Sequence, residues 1–177
     1  MKAQKGPRVR RSNLWAPWRM KYIRDLADSG GCFFCDYLKT PDKDRENFVL
    51  WRTGNAMVVF NRFPYNNGHL LIAPKRHIAD LDDATDKELL EMMKLIRESK
   101  KALSTAVKPH GFNVGMNFGR CAGAGLPGHM HIHIVPRWDG DTNFMHVCSD
   151  TDVISQSLTE LYDQLKDLSE KHNLPGI

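Results

Sequence analysis

Three histidines alternate with apolar residues in the stretch GHMHIHIVPR at residues 128–137. In an extended strand, side chains two residues apart point to the same face. The alternation therefore predicts a strand with His129, His131 and His133 on one face, while the residues between them face a core. Because imidazole side chains act in proton transfer, nucleophilic attack and metal binding, we interpret the histidine face as a site of chemistry rather than a polar strand surface.

A length of 177 residues fits one domain with a sizeable core. No apolar run approaches the roughly 18 residues of a membrane helix, and the basic N-terminus is not followed by the apolar core of a secretory signal. We therefore expect a cytoplasmic protein that makes no contact with a membrane. Cys32 and Cys35 form a C-x-x-C, while Cys121 and Cys148 stand alone. In a reducing compartment the pair suggests a metal site, a redox pair or two reduced core cysteines.

The positive charge is concentrated at the N-terminus. Residues 1–24 contain eight Lys or Arg and no acidic residue, so the rest of the chain has 17 basic and 21 acidic residues. We predict a flexible basic arm over residues 1–12 and one domain over residues 13–177. Such an arm could contact nucleic acid or a polyphosphate, but a solvated terminus is the simpler expectation. The aromatic-rich stretch at 14–23 is expected to pack on the domain or on a partner subunit.

The order of predicted elements indicates an α+β fold. Strand patterns cover residues 48–51, 56–61, 69–74 and 112–117, and the histidine strand makes a fifth. Thr85 followed by Glu88 is typical of a capping box that begins a helix, and the helical period continues to about Val107. A C-terminal helix is predicted at about 153–171. The predicted architecture is an antiparallel sheet of about five strands with one long covering helix and a C-terminal helix.

A loop with four glycines, Gly119, Gly123, Gly125 and Gly128, leads into the histidine strand. Glycine-rich loops can turn several backbone amides toward one anion, although a tight connection alone also explains glycines. Beside three histidines, the loop suggests a phosphate site. A neutral imidazole can attack phosphorus and form a covalent intermediate. The middle histidine, His131, is the candidate nucleophile, and its two neighbours would orient it or protonate a leaving group.

These motifs resemble those of the histidine triad (HIT) superfamily. The similar stretches are HMHIHIVPR at 129–137, GHLLIAPKRH at 68–77, GFNVGMN at 111–117 and Asn61, and they span a core of about residues 31–140. The sequences LWAPWR at 14–19 and PRWDGDTNF at 136–144 are most similar to the branch of bacterial diadenosine tetraphosphate phosphorylases. The chain departs from the family pattern at Gly125, where many members have glutamine, and at His146, where this branch has proline.

The resemblance implies that His131 attacks an α-phosphate and forms a nucleotidyl-histidine, which water or inorganic phosphate then releases. It implies that Asn61 contacts the ribose and that further residues hold the phosphates, either through side chains or through the backbone of the glycine loop. These are Asn117, Gly123, Ala124, Gly125, His133 and, unless it binds metal, His129. It also implies a homodimer with a continuous sheet and no organic cofactor. The remaining histidines, His69, His110, His146 and His172, are expected to be structural or exposed.

A zinc site is a separate expectation. Cys32 and Cys35 have the spacing of structural zinc ligands, and His77 and His129 could complete a tetrahedral set, an arrangement that zinc-containing members of the superfamily resemble. Such a zinc would be structural and would leave His131 unligated. A different hypothesis places a catalytic metal on the three histidines of the triad themselves.

The lead function is cleavage of dinucleoside polyphosphates by nucleotidyl transfer or hydrolysis. The alternatives are hydrolysis of nucleoside phosphoramidates or adenylyl conjugates, and a nucleotide-binding regulator with little turnover. Nucleic-acid binding through the basic arm is a further hypothesis of another class.

Overall fold

The computed structural model describes residues 31–141 and 153–177. The basic arm, the aromatic stretch at 14–23, His146 and Cys148 lie outside these residues. Within the two described ranges, no helix combines the length and the apolar character that a membrane span requires.

In the described part of the chain, five antiparallel strands form one sheet in an α+β arrangement. The strands are β1 (Val49–Arg52), β2 (Ala56–Phe60), β3 (Leu70–Pro74), β4 (Gly111–Met116) and β5 (Ile132–Arg137). The spatial order is β1-β2-β3-β5-β4, so the last strand inserts between β3 and β4. All five predicted strands are confirmed with ends shifted by one or a few residues, and the first three pair as a meander.

Within residues 31–141 and 153–177, three α-helices accompany the sheet: α1 (Phe33–Lys39), α2 (Asp86–Val107) and α3 (Leu158–His172). The predicted capping box begins α2, since Thr85 accepts from the Glu88 amide and the Glu88 side chain accepts from the Thr85 amide. The C-terminal helix begins at Leu158 and not at 153, because Ser157 accepts from the Glu160 amide and caps it there. Helix α1 has seven residues, too few to show a helical period, and sequence reasoning missed it.

The two faces of the sheet bury different apolar residues. On one face, alternate strand residues such as Val58, Ile72 and Ile134 pack with α2 and α3 in the larger core. On the other face, Met57, Leu71 and their neighbours pack against Phe34 and the rest of α1 in a smaller cluster. Met130, Ile132 and Ile134 all belong to the larger core, as the alternation predicted.

Helix α1 covers only part of its face of the sheet. Leu71 of β3 is paired with His133 of β5, which in turn is paired with Gly115 of β4. Paired residues of antiparallel strands point to the same side, so these three positions form a row on the α1 side. The fold therefore places the histidine face beside α1, with an uncovered stretch of sheet extending toward β4.

Candidate active site and metal site

His131 immediately precedes β5 and is almost buried, at 8% exposure. Its Nδ1 is 2.9 Å from the backbone oxygen of His129. A carbonyl oxygen only accepts, so Nδ1 carries the hydrogen and Nε2 keeps its lone pair. Burial lowers the pKa of His131, and the bond to the carbonyl opposes this only in part. The geometry therefore holds a neutral imidazole with Nε2 as its basic nitrogen.

A chain of hydrogen bonds fixes the tautomer of His133. The Tyr65 amide donates to Nδ1 of His69 over 3.1 Å, and because an amide only donates, His69 carries its hydrogen on Nε2. That nitrogen is 2.9 Å from Nδ1 of His133. His69 therefore donates to His133, and the remaining hydrogen of the neutral His133 ring is on its Nε2.

His69 was expected to be either structural or exposed, and the structure shows that it is fully buried. Burial, together with the positive charge that His133 or His131 would carry, lowers the pKa of His69 to about 3. The ring therefore stays neutral through the physiological range. The sequence around residue 69 gives no sign of a contact with His133, which lies 64 positions away. The alternating pattern of the triad histidines gives no sign of His69 either. Of the other three histidines, His110 and His172 are exposed, and His146 lies outside the described residues.

Asn61 supports the same chain. Its Oδ1 accepts from the Phe63 amide over 3.0 Å, and its Nδ2 donates to His69 Nδ1 over 3.2 Å. Asn61 also lines the pocket in front of the triad. The side chain that the resemblance assigns to a ribose thus also orients His69.

Most of the predicted nucleotide-binding residues meet in this pocket. It is lined by Asn61, Gly123, Gly125, His131 and His133 of the predicted set, together with Phe33, Phe63, Tyr65, Leu71 and Leu126. Asn117, which follows β4, does not line it. His129 is fully buried and does not line it either.

The glycine loop is held by its own backbone bonds. Gly119 and Gly123 have φ of 77° and 90°, values that glycine adopts without strain. The Gly123 amide donates to Arg120 O over 3.0 Å, and the Ala124 amide donates to Gly119 O over 3.3 Å. The Gly125 amide makes no backbone hydrogen bond of this kind within the described part of the chain. The loop can therefore offer a donor at Gly125 more readily than at the two residues before it.

An apolar cavity of about 140 Å³ adjoins this pocket. Phe33, Asn61, Phe63 and Leu71 line both spaces, and Tyr37, Phe60 and Arg62 complete the cavity. Aromatic side chains around a small apolar space suit a flat ring. A nucleobase in the cavity would place its ribose near Asn61 and its phosphate near the triad.

The four predicted metal ligands converge. Their ligand atoms, from Cys32, Cys35, His77 and His129, all lie within 4.8 Å of one another. The Sγ to Nδ1 distances are 3.1 Å for Cys32 and His129, 3.3 Å for Cys35 and His77, and 3.7 Å for Cys35 and His129. In a tetrahedral zinc site, ordinary Zn–S and Zn–N bond lengths separate sulfur and nitrogen by about 3.5 Å. The residues therefore fit a Cys2His2 zinc site.

His129 has the tautomer that such a site needs. Its Nε2 is 2.8 Å from Pro74 O and so carries the hydrogen, leaving the lone pair of Nδ1 directed at the cysteines. A ligating histidine commonly donates its other nitrogen to a carbonyl in this way. Burial lowers the pKa of His129 to about 4 and raises the pKa of the Cys32 thiol to about 11. A divalent cation would oppose the second effect, because it stabilises a thiolate.

The metal cluster and the triad share α1 as a support. Phe34 packs against both His129 and His131, with ring centroids 5.0 Å and 5.4 Å apart. Cys32 and Cys35 flank Phe34, and the neighbouring Phe33 lines the pocket. Joining the cysteines to His129 would therefore fix one wall of the pocket.

Comparison with known proteins identifies relatives over most of the chain. The sequence profile of the HIT domain matches residues 42–140. Over 161 residues the chain is 36% identical to the AP-4-A phosphorylase of Mycobacterium tuberculosis, covering 88% of this chain and 83% of that protein. It is 31% identical over 93 residues to the asymmetrical bis(5'-nucleosyl)-tetraphosphatase of Schizosaccharomyces pombe, covering 52% of this chain and 50% of that protein.

A solved structure shares the fold. The crystal structure of a Zn-bound histidine triad family protein from Mycobacterium smegmatis superposes with a TM-score of 0.65 at 23% identity. The match covers 81% of this chain and 96% of that one.

Proposed function

This chain belongs to the HIT domain family and is an enzyme, and we propose that it cleaves dinucleoside polyphosphates through a nucleotidyl-His131 intermediate. The observation that carries the proposal is the pair of tautomers at the pocket. His131 Nε2 has a lone pair, and His133 Nε2 has a hydrogen. Displacement at phosphorus through a covalent intermediate uses a nucleophile and a hydrogen-bond donor to the charge that develops on the leaving oxygen.

The reaction proceeds in two displacements. His131 Nε2 attacks the α-phosphorus, and the bond from phosphorus to the bridging oxygen breaks with its electron pair on the leaving nucleotide. His133 Nε2–H donates a hydrogen bond to that oxygen and stabilises the charge that develops on it. In the second step an oxygen of inorganic phosphate, or of water that releases a proton to the solvent, attacks the same phosphorus, and the P–N bond breaks with its electrons returning to His131. With diadenosine tetraphosphate the products are ATP and ADP from phosphate, or ATP and AMP from water.

The remaining pocket residues hold the transferred nucleotide. We assign the base to the apolar cavity beside Phe33, the ribose to Asn61, and the α-phosphate to the Gly125 amide. Backbone donors at a glycine-rich turn stabilise phosphate charge without a side chain, which is compatible with glycine where many family members have glutamine. The roles of Asn117, Gly123 and Ala124 in phosphate binding stay predictions.

We also propose that the Cys2His2 cluster binds a structural zinc ion. When bound, zinc would be held by Cys32, Cys35, His77 and His129 and would stabilise the folded state. The relative from Mycobacterium smegmatis is described as Zn-bound. Elemental analysis of protein purified without chelators is expected to give about one zinc per chain. Absence of zinc from fully folded protein would refute this proposal.

A homodimer through β4 is proposed as well. Strand β4 is an edge of the sheet, and Asn113, Val114 and Gly115 are exposed on it. An unpaired edge offers backbone groups to a second strand, so β4 of one copy would pair with β4 of the other and continue the sheet. Light scattering with size-exclusion chromatography tests the mass in solution.

A product assay tests the proposed reaction. Purified protein is incubated with diadenosine tetraphosphate, with and without inorganic phosphate, and the nucleotides are separated by chromatography. ADP formed only with phosphate indicates phosphorolysis, and AMP indicates hydrolysis. Rapid quench into alkaline denaturant, which preserves the acid-labile P–N bond, followed by mass spectrometry of the peptide with His131 should detect an added AMP. Full activity of His131→Ala would refute the mechanism, and nucleotide binding without turnover of this substrate or adenosine phosphoramidate would favour a regulator.

A further inference from the structure

A second cavity, of about 250 Å³, shares Tyr65 with the triad pocket. Tyr65 lines both spaces, and its ring lies nearly parallel to that of His133, at 18° and 5.8 Å between centroids. The cavity is lined mainly by Asn66, Asn113, Val135, Arg137 and Asp141, and we call it the Tyr65–Arg137 cavity. None of these residues has a role in the reaction described above.

The cavity continues the histidine face of β5. Val135 and Arg137 follow His133 at intervals of two residues, so all three lie on one side of the strand. Asn113 of β4 is paired with Val135, and Gly115 is paired with His133. At about 3.3 Å per residue, Arg137 lies roughly 13 Å along the strand from His133. An extended ligand that starts at the triad can therefore reach this cavity along the sheet.

Gly115 leaves the path between the two spaces open. A Cβ built at this position meets no atom of the described residues within 4 Å. Its partner across the strand pair is His133, the proposed donor to the leaving oxygen. A group bonded to that oxygen would lie beside Gly115, where no side chain opposes it.

The lining of the cavity is polar but balanced in charge. Arg137 Nε is paired with Asp141, and its Nη1 donates to Asn113 Oδ1 over 3.0 Å. Asp141 also accepts from Asn66 over 2.9 Å, and the bond from Arg137 holds the pKa of Asp141 at about 2. Because the guanidinium is already neutralised, a bare anion gains little there. Amide and carboxylate groups suit the hydroxyls and ring nitrogens of a nucleoside.

We propose that the Tyr65–Arg137 cavity binds the nucleoside of the leaving nucleotide, with its polyphosphate lying along β5 past Gly115. This inference rests on the proposed dinucleoside polyphosphate activity and assigns the second half of that substrate. The transferred half occupies the apolar cavity beside Phe33, on the opposite side of the triad pocket. Tyr65 separates the two halves, with its ring between the reacting histidines and the leaving nucleoside.

The test compares two substrates that differ in the leaving group. Diadenosine tetraphosphate loses ATP, whereas adenosine 5'-phosphoramidate transfers the same AMP unit and loses only ammonia. Gly115→Val blocks the path in a strand position that accepts a β-branched residue, and Asn113→Ala removes a polar group from the cavity. Val114→Thr is the matched control, since Val114 lies between them on the opposite face and is comparably exposed.

The measured quantity is the ratio of kcat/KM for diadenosine tetraphosphate to kcat/KM for the phosphoramidate. We expect this ratio to fall by at least about tenfold in Gly115→Val, because the added side chain blocks the path. In Asn113→Ala it should fall by about threefold to tenfold, since losing one polar contact to a ligand typically costs a factor of this size. In Val114→Thr it should stay within about twofold. An unchanged ratio in both variants overturns the inference. So does an equal loss with both substrates, which would mean that only the triad was disturbed.

Binding separates this inference from the proposed function. If the wild-type protein cleaves neither substrate, the proposed function fails, and calorimetry then tests the cavity alone. Diadenosine tetraphosphate should bind the wild-type protein more tightly than AMP, and Asn113→Ala should reduce that difference by about threefold or more. Equal affinity for the two ligands, or a difference that Asn113→Ala leaves intact, overturns the assignment of the cavity.

Discussion

His69 donates its Nε2 hydrogen to Nδ1 of His133 across 2.9 Å, and this bond decides which nitrogen of His133 faces the reaction with a hydrogen. His69 itself does not line the pocket, so it acts as a positioning residue. The hydrogen bonds that run from the Tyr65 amide through His69 to His133 therefore fix the position of the His133 hydrogen. A second imidazole in this role has no charge to desolvate, because its buried ring remains neutral.

Replacing His69 should therefore reduce kcat more than it changes KM. In His69→Ala nothing holds the His133 tautomer, and we expect kcat to fall roughly a hundredfold, the lower range for loss of one hydrogen-bond donor to developing charge. His69→Gln can donate to His133 Nδ1 through its amide and should recover part of the loss. Steady-state kinetics on diadenosine tetraphosphate measures both, with the exposed His110→Gln as a control that keeps wild-type rates. Equal kcat in all three variants would contradict the positioning role.

The same burial makes the fold sensitive to acid. The pKa of His69 is about 3 in the folded protein and 6.5 for an ordinary histidine, so between these values the unfolded chain binds a proton that the folded protein does not. The contribution of His69 to the free energy of unfolding is therefore fully present above about pH 6.5. It decreases as the pH is lowered, by about 1.4 kcal/mol per pH unit. From pH 7 to about pH 5 the wild-type protein should lose about 2 kcal/mol more than His69→Gln.

Urea unfolding of both proteins at the two pH values measures this difference. The other histidines are common to both, so the comparison isolates residue 69. A pH dependence that is the same in the two proteins would show that His69 is protonated in the folded state, contrary to its buried position.

Local patterns predicted most of the elements, whereas long-range contacts had to come from the structure. The alternation at 129–134 and the capping box at Thr85 depend on neighbouring residues, and both are confirmed. The insertion of β5 between β3 and β4 depends on pairing across the chain and was not predicted. The hydrogen bond from His69 to His133 was also not predicted, because the local sequence around each residue gives no sign of the other.

The metal cluster lies between these two cases, because only some of its ligands could be predicted from local sequence. The C-x-x-C spacing indicated two ligands from local sequence, while His77 and His129 came from the family resemblance. Their convergence within 4.8 Å agrees with that prediction. Helix α1, which holds the cysteines beside the triad, was missed because its seven residues bury only Phe34 and so give no periodic signal.

Loss of one cysteine should remove the metal and lower the melting temperature. In Cys35→Ala we expect the zinc content to fall to a small fraction of one ion per chain. A ligand present at a thousand times its Kd stabilises a fold by about 4 kcal/mol, so a decrease of several degrees in Tm is expected. Cys121→Ala is the matched control, because Cys121 is exposed and lies outside the cluster. Zinc retained in Cys35→Ala would contradict the ligand assignment.

Two buried serines should respond to alanine in opposite directions. The Ser99 hydroxyl on α2 is buried and has no hydrogen-bond partner among the described residues, so Ser99→Ala removes an unsatisfied group and should stabilise by about 1 kcal/mol. Ser169 accepts from Trp51 Nε1 over 2.9 Å and donates to Leu165 O. Ser169→Ala strands the indole N–H and should destabilise by about 1–3 kcal/mol. Urea unfolding measures both, and a shift of the same sign would contradict this reasoning.

Gly68, the residue before His69, should tolerate no side chain. Its φ is 75°, and a Cβ would lie 2.9 Å from Leu103 Cδ2 and 3.3 Å from Pro136 Cγ. The left-handed backbone costs alanine about 1 kcal/mol and the crowding a further 1–3 kcal/mol, so Gly68→Ala should lower the free energy of unfolding by about 2–4 kcal/mol. Gly111→Ala is the matched control, because a Cβ there meets nothing within 4 Å in the part of the chain that the structure describes, and its φ is not positive.

The position of Gly68 also ties this loss of stability to activity. Relief of the contact with Leu103 would shift the backbone that carries His69, and a displaced His69 could no longer donate to His133. The kcat of the folded Gly68→Ala protein, measured below its melting temperature, should therefore fall toward that of His69→Ala. A destabilised protein with wild-type kcat would mean that the turn yields without moving His69. Wild-type stability would show that the core around Leu103 can accommodate the added methyl group, contrary to the close packing there.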